Sequence, residues 1–298
     1  MKHTLQITLI LVALFLSAQI LGLAVINKYI DHKKTTETGQ IEFAELPYGL
    51  ERPAIEKGSS FIFYLSFAII IGTLLVLLIV KLRKPFIWKA WLLFAIVLCM
   101  SLAFRAFINP IFAFILAFAL GLWKILKPTP IIHNITELFI YGGLAAVFVP
   151  IKAFTIPVAF LVLLIISAYD MYAVWKSKHM ITLANFQSES RVFAGLSIPY
   201  KRSAKPKKGY KLVEGKIKTA VLGGGDIGFP LLFAGAVMKD LTLVDTEPTA
   251  FLKTLIIPIF VSIALYILLI KGKKDKFYPA MPFLSLGCLA GYVVVLLL

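Results

Sequence analysis

The ten residues "VLGGGDIGFP" (221–230) decide how the chain folds. They set an aspartate, Asp226, in an apolar run behind three glycines and four residues ahead of a proline. Gly223, Gly224 and Gly225 weaken a helix start and let another backbone approach closely. Pro230 has no N–H and cannot bond the carbonyl of Asp226. Inside a bilayer, polar backbone freed in this way is tolerated only where protein or a water-filled cavity satisfies it. The glycines also suit close helix packing, as small residues do in membranes. A second aspartate of the same kind, Asp170, stands upstream in "LLIISAYDMYAV" (163–174).

The composition places both aspartates in a membrane. Of the 298 residues, 60% are hydrophobic and 15% charged, with a mean hydropathy of +0.90, far outside the soluble range. A spanning helix needs about 20 apolar residues. Nine stretches meet that need, near 4–26, 61–80, 88–107, 109–126, 134–151, 154–175, 219–238, 249–270 and 278–298. The first is longer than a signal-peptide core and reads as a retained helix. The predicted fold class is therefore an all-α polytopic membrane protein with nine transmembrane helices. Residues 1–126 form an N-terminal group of four helices. Residues 127–298 hold the other five and a basic loop, 176–218.

Basic residues orient this array. Loops on the side of the N-terminus hold 22 of the 31 Lys and Arg residues, eleven of them in 176–218, and the opposite side holds 9. The N-terminus is thus expected in the cytoplasm and the C-terminus outside, consistent with an odd number of spans. The net charge of +16 reads as a topology signal, not as a nucleic-acid surface. The cluster "YKRSAKPKKGYK" (200–211) reads equally as a lipid-facing patch or a solvated loop.

Other chemistries find little support. Cys99 and Cys288 lie in spans, and the four histidines at termini, loops or span edges, without metal-ligand spacing. No cofactor or metal is expected. Asn134-x-x-Glu137 reads as a helix cap. Arg105 and Asn109 read as interface anchors, and Asp240, Asp245 and Glu247 as solvated residues of an external loop.

Asp170 precedes Lys176 by six residues, and Asp226 follows Lys218 by eight. At a helical rise of 1.5 Å, both lie ~9–12 Å below one membrane face. Consecutive spans are usually neighbours, so the carboxyls face each other across one helix pair. An acid buried in lipid costs ~2.5–3.5 kcal/mol and is by default functional. Two nearby carboxyls in a low dielectric do not both ionise easily, and one proton belongs to the pair. In such an arrangement one carboxylate activates water while its protonated partner polarises a carbonyl.

Tyr169-Asp170, Gly223-x-Gly225-Asp226 and Pro279-Ala280-Met281-Pro282 follow one another in the sixth, seventh and ninth spans. This order resembles the presenilin and signal peptide peptidase family of GxGD intramembrane aspartyl proteases, and in compactness its archaeal presenilin homologues. The family's helices carry YD, GxGD and PAL, with Met281 here in the place of leucine. The resemblance implies catalysis by Asp170 and Asp226, and support from Tyr169, Gly223, Gly225, Pro279, Ala280 and Met281. It also implies single-span membrane proteins or signal peptides as substrates, cut within their spans. No partner subunit is inferred, and a prokaryotic cell membrane is the default location. Residues 211–219, "KLVEGKIKT", partly alternate and suit pairing with an unwound substrate as an added strand. The rival readings are a proton- or cation-coupled secondary transporter using the same aspartates, a prepilin-type peptidase, and an inactive scaffold.

Overall fold

The computed structural model describes residues 4–82, 84–177, 193–201, 217–272 and 278–298. Its long elements are helices, and each of the nine expected stretches holds one. They are α1 (Leu5–Tyr29), α3 (Gly58–Leu82), α4 (Pro85–Arg105), α5 (Pro110–Leu126), α6 (Pro130–Phe148), α7 (Ile156–Tyr172), α8 (Gly224–Leu241), α10 (Ile256–Lys271) and α11 (Met281–Leu296). Two short helices, α2 (His32–Thr38) and α9 (Glu247–Thr254), lie between them.

Helix starts follow local chemistry. Thr4, Asn109 and Thr129 each accept a backbone N–H from the first turn of the helix they precede. Proline occupies the first or second position of α4, α5, α6, α7 and α11, where a missing N–H removes no intrahelical bond. Six helices, Leu5–Tyr29, Gly58–Ile79, Phe86–Arg105, Pro130–Phe148, Ile156–Lys176 and the α9–α10 unit Glu247–Lys271, are long and apolar enough to cross a bilayer. Pro110–Leu126 and Met281–Leu296 are shorter apolar helices. The chain is an all-helical, multi-pass membrane protein in its architecture.

α1 lies at the centre. Leu11, Phe15, Leu23 and Ile26 are fully buried against α6, α8 and α10. Lipid is as apolar as leucine, so helices associate there by close van der Waals packing and small residues. On α6, a Cβ at Gly142 would meet Gly22 of α1, and one at Gly143 would run into the Cys99 carbonyl of α4. Gly287 and Gly291 bring α11 equally close to Val261 and Ile257 of α10. Helix α3 contacts the rest only lightly.

Three details need correction. The architecture is helical, but the seventh expected stretch starts in a strand: Gly195–Lys201 (β1) and Ile217–Gly223 (β2) form an antiparallel hairpin, paired from Gly195 with Gly223 to Lys201 with Ile217. The seventh helix therefore begins at Gly224 and not at 219. Alternation explains the strand, since Ala220 and Leu222 are buried while Thr219 and Val221 are exposed. Second, Asn134 and Glu137 do not cap the fifth long helix. Thr129 does, and the helix begins at Pro130. Third, Asp240 and Glu247 are exposed as expected, Glu247 also accepting from Asn27 at 2.8 Å, but Asp245 is half-buried and pairs with Lys253 at 3.0 Å.

The segment after α1 is also ordered. Ile30 bridges Phe43, and the Arg52 guanidinium lies over the Tyr29 and Phe43 rings while donating to the carbonyls of Ala44 and Ala146.

Candidate active site

Asp170 sits near the end of α7 and is 7% exposed. Its Oδ2 accepts the backbone N–H of Met281 at 3.1 Å, and Ala280 donates a second N–H. The sequence Pro279-Ala280-Met281-Pro282 explains this. The first N–H groups of a helix have no intrahelical partner, and the two flanking prolines carry none. The N–H groups of this motif are those of Ala280 and Met281, and both turn to Asp170. The positive end of the α11 dipole favours the same placement of a carboxylate. Four residues into α11, Ser285 Oγ lies 2.9 Å from Ser167 Oγ, a turn before Asp170 on α7. Pro279 is buried.

Asp226 is the third residue of α8, and its carboxylate accepts the N–H of Gly223, the N-cap. This is the return half of a capping box. Helix α8 runs unbroken through Pro230, and Gln19 of α1 donates to the nearby Ile227 carbonyl at 2.8 Å, so protein satisfies polar backbone here. α7 and α8 pack together, and Asp170 acts electrostatically on Asp226. The two predicted aspartates are thus brought to one place, each held by backbone N–H groups.

The remaining predicted residues fall around them. A Cβ at Gly223 would stand 3.3 Å from Oδ2 of Asp226. Gly225 is exposed beside Asp226, and a Cβ there would meet only the Phe229 ring. The Tyr169 hydroxyl lies 3.1 Å from Thr73 Oγ1, tying α7 to α3. Beyond Tyr172, Ala173–Ser177 continues as a π-helical turn, a distortion common at functional sites. Among the described residues, no cluster of His, Cys, Asp and Glu is arranged to hold a metal.

The hairpin joins the site directly, because β2 ends at Gly223. α6 holds it in place. Asn134 Nδ2 donates to the Ser197 carbonyl at 2.8 Å, and its Oδ1 accepts the Ser197 N–H at 3.0 Å. The His133 ring nitrogen Nε2 lies 2.7 Å from the Gly195 carbonyl oxygen. Gly195 has φ +139°, and a Cβ there would collide with the Leu222 carbonyl. Sequence reasoning missed this role of α6. The signal was available as His133, Asn134, Glu137 and Tyr141, polar residues at helical spacing on one side of an otherwise apolar helix.

Residues 39–298 match the family described as "Signal-peptide peptidase, presenilin aspartyl protease". The chain belongs to this family. It is a presenilin-family intramembrane aspartyl protease. Two solved structures of a presenilin family intramembrane aspartate protease share the fold of this protease. The one in space group C222 is 17% identical, with a TM-score of 0.61 over 97% of this chain and 98% of that chain. The one in space group P2 is 18% identical, with a TM-score of 0.57 over 96% of each chain. No curated protein matches the chain.

Proposed function

We propose that Asp170 and Asp226 are the catalytic pair of this protease and that they cut peptide bonds within the membrane-spanning segments of single-span proteins or signal peptides. The observation that carries this is the pairing of the two carboxyls, on neighbouring helices, each fixed by backbone N–H donors. The pair holds one proton. The ionised carboxylate takes a proton from water as its oxygen attacks the scissile carbonyl carbon, and the protonated carboxyl donates to the carbonyl oxygen. The tetrahedral diol collapses as the C–N bond breaks. The amine nitrogen leaves with the proton of the pair while a carboxylate of the pair takes a proton from a diol hydroxyl, giving a carboxylic acid, an amine and a pair again holding one proton.

Nine helices cross the bilayer in this reading, with the N-terminus cytoplasmic and the C-terminus outside, in a prokaryotic cell membrane. The site works without a cofactor or partner subunit. Tyr169 ties the Asp170 helix to α3, Pro279, Ala280 and Met281 hold Asp170, and Gly223 supplies the Asp226 donor. Gly225 leaves the surface beside Asp226 bare for substrate.

A helical scissile bond is shielded by its own hydrogen bonds, so the substrate must unwind, and strand addition to an exposed edge would hold it open. The outer edge of β1 is occupied by Asn134 and His133. In an antiparallel ladder outward and inward backbone groups alternate. With Ser197 facing out, its register partner Val221, and Thr219 two residues before it, also face out on β2. The substrate strand therefore docks along Thr219 and Val221, within reach of Asp226. Of the stretch 211–219 expected to pair, 217–219 lie in β2 and 211–216 lie outside the described residues.

The test uses purified protein in detergent with a generic single-span substrate, and mass spectrometry of the products. Cleavage within the span by wild type, abolished in Asp170→Ala and in Asp226→Ala, supports the pair. Cleavage that survives either substitution overturns it.

A further inference from the structure

Three ionisable side chains lie buried behind the turn that carries Asp226. Lys124 on α5, Glu137 and Tyr141 on α6 are 1%, 3% and 6% exposed. Lys124 Nζ pairs with Oε1 of Glu137, and the Tyr141 hydroxyl donates to Oε2, so both carboxylate oxygens are used. A buried ion pair is weak support for stability, because well-packed apolar residues of the same volume often do as well or better. What such a network supplies is a fixed position for the group it holds, and here that group is the Tyr141 hydroxyl.

The hydroxyl lies on α8. A Cβ at Gly224 would stand 2.9 Å from Tyr141 Oη, and one at Gly228 would stand 3.8 Å from the same ring. Gly224 and Gly228, one turn apart, thus form the groove that receives Tyr141. The next two residues of α6, Gly142 and Gly143, press its backbone against α1 and α4, so the tyrosine projects from an immobile base. Its electrostatic neighbours are Glu137, Asp226 and Cys99, with Lys124 and His133 close behind Glu137.

We propose that Tyr141 is a positioning residue for Asp226: its hydroxyl, held by Glu137 and Lys124, sets how closely the first turn of α8 stands to α6 and so the separation of Asp226 from Asp170. This rests on the two aspartates being the catalytic pair. How a dyad shares its proton depends on that separation, and displacement of a reacting group by about 1 Å can cost ~100-fold in rate.

The experiment compares wild type with Tyr141→Phe, Gly224→Ala and the double variant in detergent, measuring kcat and KM across pH, with Asp170→Ala as the control for the dyad. Tyr141→Phe keeps the ring and is expected to lower kcat about tenfold with KM little changed, and to displace the pH profile of kcat by about half a unit. Gly224→Ala pushes the hydroxyl aside and should produce the same displacement. In the double variant the added methyl group occupies the vacated space, so the two effects do not add. A wild-type profile in Tyr141→Phe, or one merely scaled down without moving, overturns the positioning role, because loss of folded enzyme changes height alone. If Tyr141→Phe does not fold, Gly224→Ala decides by the same shift. Activity that survives in Asp170→Ala overturns the dyad itself, a separate outcome.

Discussion

Met281 donates its backbone N–H to Oδ2 of Asp170 across 3.1 Å, linking α11 to α7 at the carboxyl group itself. The contact uses main chain, so replacing the buried Met281 side chain by one of similar volume leaves the donor in place. The motif's dependence on proline follows as well, because Pro279 and Pro282 leave the donors at Ala280 and Met281 as those of the motif.

Removing one donor tests this. Ala280→Pro deletes the N–H at a helix start that tolerates proline. A hydrogen bond to a charged group contributes about 1.5–3 kcal/mol, so kcat should fall ~10–100-fold by the same relation. Met281→Leu keeps its N–H and should stay within about twofold of wild type. Turnover of a single-span substrate measures both.

The pair Ser167 and Ser285, 2.9 Å apart and buried, should behave asymmetrically. Ser167→Ala leaves one hydroxyl unpaired and costs about 1–3 kcal/mol, whereas removing both hydroxyls is close to neutral. Thermal unfolding of the single and double variants reads the difference. A double variant less stable than either single one would contradict it.

Gly195→Ala puts a side chain where φ is +139°, a strain of about 1–3 kcal/mol. The strain falls on the hairpin and not on the helices. Cleavage should drop sharply while the melting temperature of the helical body hardly moves.

Asn134 meets Ser197 from both sides of its amide. Asn134→Leu removes both bonds, and the Ser197 amide should then lose hydrogen-exchange protection, with cleavage falling. Asn134→Asp keeps the acceptor and should retain part of that protection.

Val221→Pro removes an outward N–H without touching the inner ladder of the hairpin. Substrate cleavage should fall at least tenfold if that group holds the substrate strand. Unchanged cleavage would free β2 from any part in substrate docking.

Much of the candidate site was legible because the costs involved are large and local. An aspartate in an apolar run, glycines before it and prolines around Ala280 and Met281 each carry a physical demand readable from neighbours in the chain. The hairpin was not, since Ala220, Val221 and Leu222 read equally well as the start of an apolar helix. Only the pairing of β2 with a strand 16 to 28 residues away in register decides for β. Asn134-x-x-Glu137 matched a capping pattern, but Thr129 ahead of Pro130 is the better start, and pattern alone does not rank the two. The Lys124–Glu137–Tyr141 cluster joins two helices, and no local spacing connects Lys124 to the other two.

The bond from Gln19 to the Ile227 carbonyl joins residues 208 positions apart. α1 precedes α8 in the chain, so during synthesis the Gln19 amide is made well before the helix bearing Asp226 to which it donates. The central contact is therefore begun by an early helix and closed by a later one. A chain interrupted before α8 has neither that bond nor Asp226, and so lacks half of the proposed catalytic pair. With Asp170 and Asp226 as the proposed pair, proteolytic competence is expected only once α8 has docked against α1 and α7.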